Sequence, residues 1–254
     1  MQASDRLKTL AQGAMKRTGF KIVRTRNPLD WDDTHARIIE QVQPYTMTSP
    51  EHVHGMVQAT RHVINHDIPG AIVECGVWRG GSSMAAMLTA LDLGRKDREV
   101  WLYDTYEGMT PPTEHDRKAF SGVPAEQAMA EVPKTEGFNI WCIADLDDVK
   151  ANVATTGYPA DLIHYVKGPV QETLPGEMPE QIALLRLDTD FYDSTKQELI
   201  HLWPLLVPGG IVVLDDYGYW EGQRKAVDEY FEEQGIAVFL HRMSALGSIG
   251  VKPG

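Results

Sequence analysis

Ala71-Ile-Val-Glu-Cys-Gly-Val-Trp-Arg-Gly-Gly-Ser82, followed shortly by Val100-Trp-Leu-Tyr-Asp104, decides how this chain folds. A break at Pro69-Gly70 opens the segment, and residues 71–75 form a short apolar run of strand character. Residues 76–83 are a glycine-rich turn, and residues 83–92 read as a helix. Residues 100–103 are a second strand, ending in Asp104. Strand, glycine turn, helix, strand and acid, in that order, open a nucleotide-binding α/β unit.

Working outward, a helical pattern precedes the unit over residues 50–65, where Val53, Met56, Val57, Val63 and Ile64 share a face and Ser49 is placed to cap the start. Beyond Asp104 the rhythm stops. Residues 105–137 hold four prolines, many charges and one weak helical stretch around 125–131. Such an insertion in a compact domain is a functional lid or a disordered segment. Periodicity resumes with a helix at 146–154, strands at 162–166 and 182–187, a helix at 194–206 and a strand at 211–214 after Pro208-Gly-Gly210. A helix at 222–233 and weaker strands at 237–240 and 248–251 follow. Apolar strands alternating with helices predict an α/β fold with a mostly parallel sheet covered on both faces. The expected division is an N-terminal extension over 1–45 and a main domain over 46–254 that carries the insertion.

The chain has 254 residues, with 24 Lys plus Arg against 36 Asp plus Glu, for a formal net charge of −12. This acidity argues against nucleic acid as a partner, which requires a basic footprint. An apolar fraction of 43% excludes a largely disordered chain. Two cysteines, Cys75 and Cys142, are no disulfide framework, so a reducing cytoplasm is the expected compartment. No stretch approaches the length of apolar sequence that spans a bilayer, so no stable membrane insertion is expected. Charge is uneven: residues 1–27 carry seven basic side chains against Asp5 alone, leaving +6 there and −18 in the rest. A solvated terminus docking on the acidic body, of this subunit or a second one, is preferred over a membrane-surface role.

Ligands of open α/β sheets bind beyond the carboxyl ends of the strands. Four predicted strands end there in Glu74-Cys-Gly76, Asp104, Asp188-Thr-Asp190 and Asp215-Asp216. The glycine turn matches neither the dinucleotide fingerprint nor a phosphate loop, and so suits a ligand without phosphate. Asp104 could hold the two hydroxyls of a ribose, which makes S-adenosylmethionine the obvious candidate. Converging carboxylates at 188, 190, 215 and 216 are tolerable only when protonated, solvated or neutralised by a cation. Oxygen ligands favour Mg²⁺ or Mn²⁺, with no Cys or His nearby to suggest zinc. A metal beside a methyl donor lowers the pKa of an acceptor hydroxyl while a carboxylate takes its proton; three acids can hold the ion and one can be the base.

Two rival motifs were weighed. Tyr192-Asp-Ser-Thr-Lys196 matches the Tyr-x-x-x-Lys dyad of short-chain oxidoreductases, but the glycine fingerprint of a nicotinamide enzyme is missing. Asp193 or Ser194 capping the following helix is the blander account. His52, His54, His62 and His66 include a pair one helical turn apart, without the acid–histidine signature of a zinc enzyme. A polar helix face, with one His reaching the substrate, is preferred.

With these residues in hand, the chain resembles the macrocin O-methyltransferase family, metal-dependent sugar O-methyltransferases of antibiotic biosynthesis. The segments that carry the resemblance are Val73-Glu-Cys-Gly-Val-Trp-Arg-Gly-Gly-Ser82, Tyr103-Asp-Thr-Tyr-Glu-Gly-Met109 and Leu185-Arg-Leu-Asp-Thr-Asp-Phe-Tyr-Asp-Ser-Thr-Lys196. It continues through Leu206-Val-Pro-Gly-Gly210, Asp215-Asp-Tyr-Gly218 and Arg224-Lys-Ala-Val-Asp-Glu-Tyr230. Residues 1–30 and 110–140 match least. The resemblance implies a class I methyltransferase fold, S-adenosyl-L-methionine as donor and Mg²⁺ as activator. It places the metal on Asp188, Asp215 and Asp216 and the general base on Asp190. Glu74, Gly76 and Asp104 would contact the cosubstrate, with Trp78, Arg79, Gly80, Gly81 and Ser82 completing the turn and Thr46 and Met47 near the methionine end. A sugar or glycoside acceptor and a homodimer or larger homo-oligomer are also implied. The alternatives are a catechol or phenolic acceptor, a nicotinamide-dependent oxidoreductase, and a non-catalytic binding module that kept the fold.

Overall fold

The computed structural model describes residues 28–254, so the basic segment 1–27 lies outside the described residues. The chain divides between Asp32 and Asp33 into two units. Of the first, residues 28–32 are described and form a turn in which the Trp31 amide donates to the Pro28 carbonyl at 3.1 Å. All further elements belong to the second unit. Its helices are α1 (Asp33–Val42), α2 (Pro50–Asn65), α3 (Gly81–Asp92), α4 (Ala125–Ala130), α5 (Leu146–Ala154), α6 (Val170–Thr173), α7 (Tyr192–Leu202) and α8 (Glu221–Glu233). Helix α1 was not foreseen, and it lies before the boundary expected at residue 46. Its apolar face, Ile38, Ile39 and Val42, is buried and the helix packs on α3, so it is part of the main body.

The strands β1 (Ala71–Cys75), β2 (Val100–Asp104), β3 (Ile163–Lys167), β4 (Ile182–Leu187), β5 (Leu206–Leu214), β6 (Leu240–Arg242) and β7 (Ser248–Val251) form one sheet in the order β3-β2-β1-β4-β5-β7-β6. Strands β1 to β5 are parallel, and β7 runs antiparallel to both of its neighbours. The mostly parallel α/β sheet expected from the sequence is therefore present. Chain direction across the sheet reverses between β1 and β4, and that switch point opens a crevice at the strand ends. Val73, Cys75, Tyr103, Leu185, Leu187, Val212 and Leu214 pack on one face with Leu199 and Leu202 of α7 and Val227, Tyr230 and Phe231 of α8. Helix α2, which meets β4 and β5, and α3, which packs on α2, cover the other face. Strand β5 starts earlier than expected because Pro208-Gly-Gly210 is a bulge within it. The register moves from Ile182↔Leu206 to Leu184↔Ile211, and the Gly209 amide finds the Lys252 carbonyl at 2.9 Å instead.

The insertion is docked on the sheet ends. Arg117 bridges Pro124 and Lys118 bridges Trp220, while the Ala119 amide donates to the Tyr219 carbonyl at 2.8 Å. Ala125, Met129, Phe191 and Trp220 form a small core beneath it. Asp116, 1% exposed, is its main pin. Its Oδ1 accepts from the first amide of α7, Tyr192 N, at 2.8 Å, and its Oδ2 from the Thr113 amide and hydroxyl at 2.6 and 2.8 Å. The cap of α7 thus comes from a distant segment, and neither Asp193 nor Ser194 supplies it: Ser194 Oγ donates to the Phe191 carbonyl at 3.0 Å. Gly222 makes room, since a Cβ there would lie 1.8 Å from Asp116 Oδ1. Asp116→Ala is expected to cost about 1–2 kcal/mol in chemical denaturation and to speed proteolysis within 105–137. Unchanged cleavage there would show that another contact pins the insertion.

Candidate active site

The parting of β1 and β4 is floored by backbone. The Asp188 amide donates to the Cys75 carbonyl and the Gly76 amide to the Tyr103 carbonyl, both at 2.9 Å. Gly76 adopts φ +82°, and a Cβ there would lie 2.0 Å from the Asp188 carbonyl oxygen, so no other residue fits. Asp104, at the end of β2, orders the turn. Its Oδ2 accepts from the amides of Val77 and Trp78 at 2.6 and 3.0 Å, and its Oδ1 from the Tyr106 amide at 2.7 Å. Above this floor lies a cavity of about 500 Å³.

Thr46, Met47, Gly76, Trp78, Ser82, Asp104, Asp188, Asp190, Asp215 and Asp216 all line that cavity. Four residues expected at the cosubstrate are not among its walls, and each has a local reason. Arg79 turns outward to a bidentate pair with Asp148 at 2.8 and 2.9 Å. Gly80 begins α3 in the left-handed region, and Gly81 abuts the Tyr45 carbonyl, where a Cβ would come within 2.6 Å. Glu74 is 1% exposed, bonded to the Ser83 hydroxyl and to Arg186, which stands between it and the aspartates at the strand ends. These four shape and support the turn.

Two of the four aspartates, Asp188 and Asp215, meet one buried guanidinium. Glu74 on β1 and Arg186 on β4 are register partners, so their side chains share a face of the sheet. Arg186 Nη1 lies 2.5 Å from Glu74 and 2.8 Å from Asp188, and Nη2 lies 2.8 Å from Asp215. His52 of α2 adds a second support, its Nδ1 lying 2.9 Å from Asp215 Oδ1 and its Nε2 2.6 Å from Ser244 Oγ. Burial alone would raise the Asp215 carboxyl, but Arg186 and His52 outweigh it and hold the group below the usual carboxylate range. Elsewhere burial wins. It pushes Asp188 well up despite Arg186, pushes Asp216 well up with Asp190 adding to the effect, and pushes Asp190 up to about 7. Five acids therefore share one arginine and one histidine, and the unbalanced ones hold a proton or wait for a cation. One oxygen each from Asp188, Asp215 and Asp216 lie within 4.8 Å of one another, a span that oxygens around one hard cation cover.

Arg186 escaped the sequence reading, although a lone arginine inside Ile182-Ala-Leu-Leu-Arg-Leu187 is itself a signal: a buried guanidinium must find carboxylates. Lys118, Cys142 and Trp220 also line the cavity without having been singled out. The rival motifs dissolve. Tyr192 donates to Glu229 at 2.6 Å and Lys196 to Glu233 at 3.0 Å, tying α7 to α8, and neither lines the cavity. His62 and His66 pack against each other at a tilt of 37° with centroids 4.6 Å apart and join no metal-competent group among the described residues. Of the four histidines, His52 alone lines the cavity.

Arg186→Met leaves Glu74, Asp188 and Asp215 buried without their counter-charge. It is expected to cost about 3–5 kcal/mol or prevent folding, read by urea denaturation. The double variant Arg186→Met with Glu74→Gln should recover part of that loss, and no recovery would show that the pair is uncoupled.

The sequence pattern of the macrocin-O-methyltransferase (TylF) family matches residues 7–249. The chain is 34% identical over 203 residues, 80% of its length and 74% of the relative's, to 8-demethyl-8-(2,3-dimethoxy-alpha-L-rhamnosyl)-tetracenomycin-C 4'-O-methyltransferase of Streptomyces olivaceus. It is 30% identical over 195 residues, 76% of its length and 72% of the relative's, to mycinamicin III 3''-O-methyltransferase of Micromonospora griseorubida. The fold superposes on that of the O-methyltransferase NovP with a TM-score of 0.75 at 23% identity, covering 87% of this chain and all of the other. The sheet is thus that of the class I methyltransferases, and the chain belongs to the macrocin O-methyltransferase family.

Proposed function

We propose that this chain transfers the methyl group of S-adenosyl-L-methionine to a sugar hydroxyl, with Mg²⁺ or Mn²⁺ held by Asp188, Asp215 and Asp216 and Asp190 as general base. The observation that carries the reading is the convergence of four aspartates on the cavity that the glycine turn opens. Gly76, Trp78, Ser82 and Asp104, with Thr46 and Met47 across the opening, suit the cosubstrate. The buried indole N–H of Trp78 has no partner among the described residues and is available to it. The tetracenomycin relative carries a rhamnosyl group and 4'-O-methylation in its name, which supports a glycoside or sugar acceptor here. The free thiols of Cys75 and Cys142 fit a reducing cytoplasm, and the family resemblance favours a homo-oligomer.

The chemistry follows from the side chains. When bound, the divalent cation supplies Lewis-acid activation of the acceptor hydroxyl. Asp190, with a carboxyl raised to about 7, is matched to accepting that hydroxyl proton on its carboxylate oxygen near neutrality. The acceptor oxygen then forms its bond to the methyl carbon as the carbon–sulfur bond breaks. The product pair is a methyl ether and S-adenosylhomocysteine. Walls from both halves of the sheet hold the reactants in line, and alignment supplies much of the rate. The docked insertion, through Lys118, faces the cavity and is the proposed determinant of acceptor choice.

Asp190→Asn is expected to lower kcat by about 10²–10⁴ while calorimetry shows unchanged affinity for S-adenosylhomocysteine; full activity would remove the base assignment. The cation has a separate signature. Asp188, Asp190 and Asp216 titrate above their unfolded values of about 4, so the folded state binds the extra protons and loses stability as pH rises from there, through about 7 in the case of Asp190. Asp215, held low, acts only below that window. Mg²⁺ should therefore raise the melting temperature more at pH 8 than at pH 5. Equal shifts at the two pH values, or none, would mean that the ion does not sit among these acids.

A further inference from the structure

A buried acid with no part in the proposed chemistry lies behind the base. Glu198, on α7, is 0% exposed. Its Oε1 accepts from Thr189 Oγ1 at 2.8 Å, its Oε2 is sealed from solvent without a partner, and among the described residues no ion pair reaches it. Thr189 stands between Asp188 and Asp190 in an unusual turn. The Phe191 amide donates to the Thr189 carbonyl at 2.7 Å, across the single residue Asp190, whose φ is +64°. This is a three-residue γ-turn of the strained hand, disfavoured at any residue with a side chain. Such a conformation persists only where its surroundings over-determine it. Ser194 Oγ secures the Thr189 carbonyl at 3.2 Å, and Glu198 secures the Thr189 hydroxyl.

We propose that Glu198 is a positioning residue: through Thr189 it locks the strained turn that presents Asp190 to the acceptor. The inference rests on Asp190 being the base. Burial pushes the Glu198 carboxyl up to about 8, against the hydrogen bond from Thr189, so near neutrality it is a neutral acid and no bare charge is sealed inside. An apolar side chain would suit this face of α7 better, because a buried carboxyl with one oxygen unsatisfied is destabilising. Its anchoring of the turn is what the structure offers in return.

Two variants cut the same bond from opposite ends, Glu198→Ala and Thr189→Val, and Glu198→Gln and Thr189→Ser keep it. In the Ala and Val variants kcat is expected to fall roughly 10–100-fold, since small misplacement of a reacting group is that costly. Affinity for S-adenosylhomocysteine should stay within threefold, and deuterium uptake of the 188–194 segment should rise. The Gln and Ser variants should return both readouts to within a few-fold of wild type. Unchanged uptake, or kcat within twofold of wild type in both bond-breaking variants, would overturn the proposal. Should Glu198→Ala fail to fold, Thr189→Val alone decides. Asp190→Asn is measured alongside: if it is active, the base assignment fails, whereas uptake still reports on whether Glu198 anchors the turn.

Discussion

One guanidinium sets the terms for the rest of the molecule. Arg186 stands near the carboxyl end of a buried parallel strand, where a charge survives only with close counter-charges. Its first partner, Glu74, is fixed by sheet register, because neighbouring parallel strands bring the two side chains to one face. Its other partners, Asp188 and Asp215, are the acids at the ends of β4 and β5. Strand pairing and site electrostatics are therefore a single arrangement. A slip of one residue between β1 and β4 would send Arg186 and Glu74 to opposite faces and strand both.

The same arrangement explains why the acids differ although all are aspartates. Asp215 meets Arg186 and His52 and is held ionised, while Asp190 has no cation and keeps its proton to about pH 7. A constant negative ligand and a group able to exchange a proton are different tools, and environment alone distinguishes them. The walls come from distant segments: His52 from α2, Asp216 from the turn after β5, Lys118 from the insertion and Leu246 from the turn before β7.

Much of this was legible beforehand. Helices Pro50–Asn65 and Leu146–Ala154 were legible from their apolar spacing, a local signal, although the Ser49 side chain, expected to cap the first, makes no capping bond. The four aspartates were legible because strand ends in an open sheet share one edge. Helix α1 was missed, since its apolar residues are few and its burial depends on α3. That Glu74 lies outside the cavity walls was hidden, because alternation along a strand shows which face a side chain takes only once the layers are known. Asp116 and Glu198 were invisible for a similar reason. Each matters through one long-range bond, to Tyr192 and Thr189 respectively, and no local pattern announces it. Asp190 at positive φ was equally hidden, for the strain belongs to the turn and not to the residue type.

The turn before β7 carries a last consequence. Strand β7 lies between β5 and β6, and the preceding turn supplies Ser244, which bonds His52, and Gly247, where a Cβ would come within 2.7 Å of the His52 ring. This hairpin leaves the ribosome after every other strand of the sheet has been made. His52 is braced by Ser244 only where β7 lies in its place between β5 and β6. The acids at the ends of β4 and β5 are thus framed in part by a segment that follows both in the chain, and loss of Ser244 would leave His52, and Asp215 behind it, less firmly held.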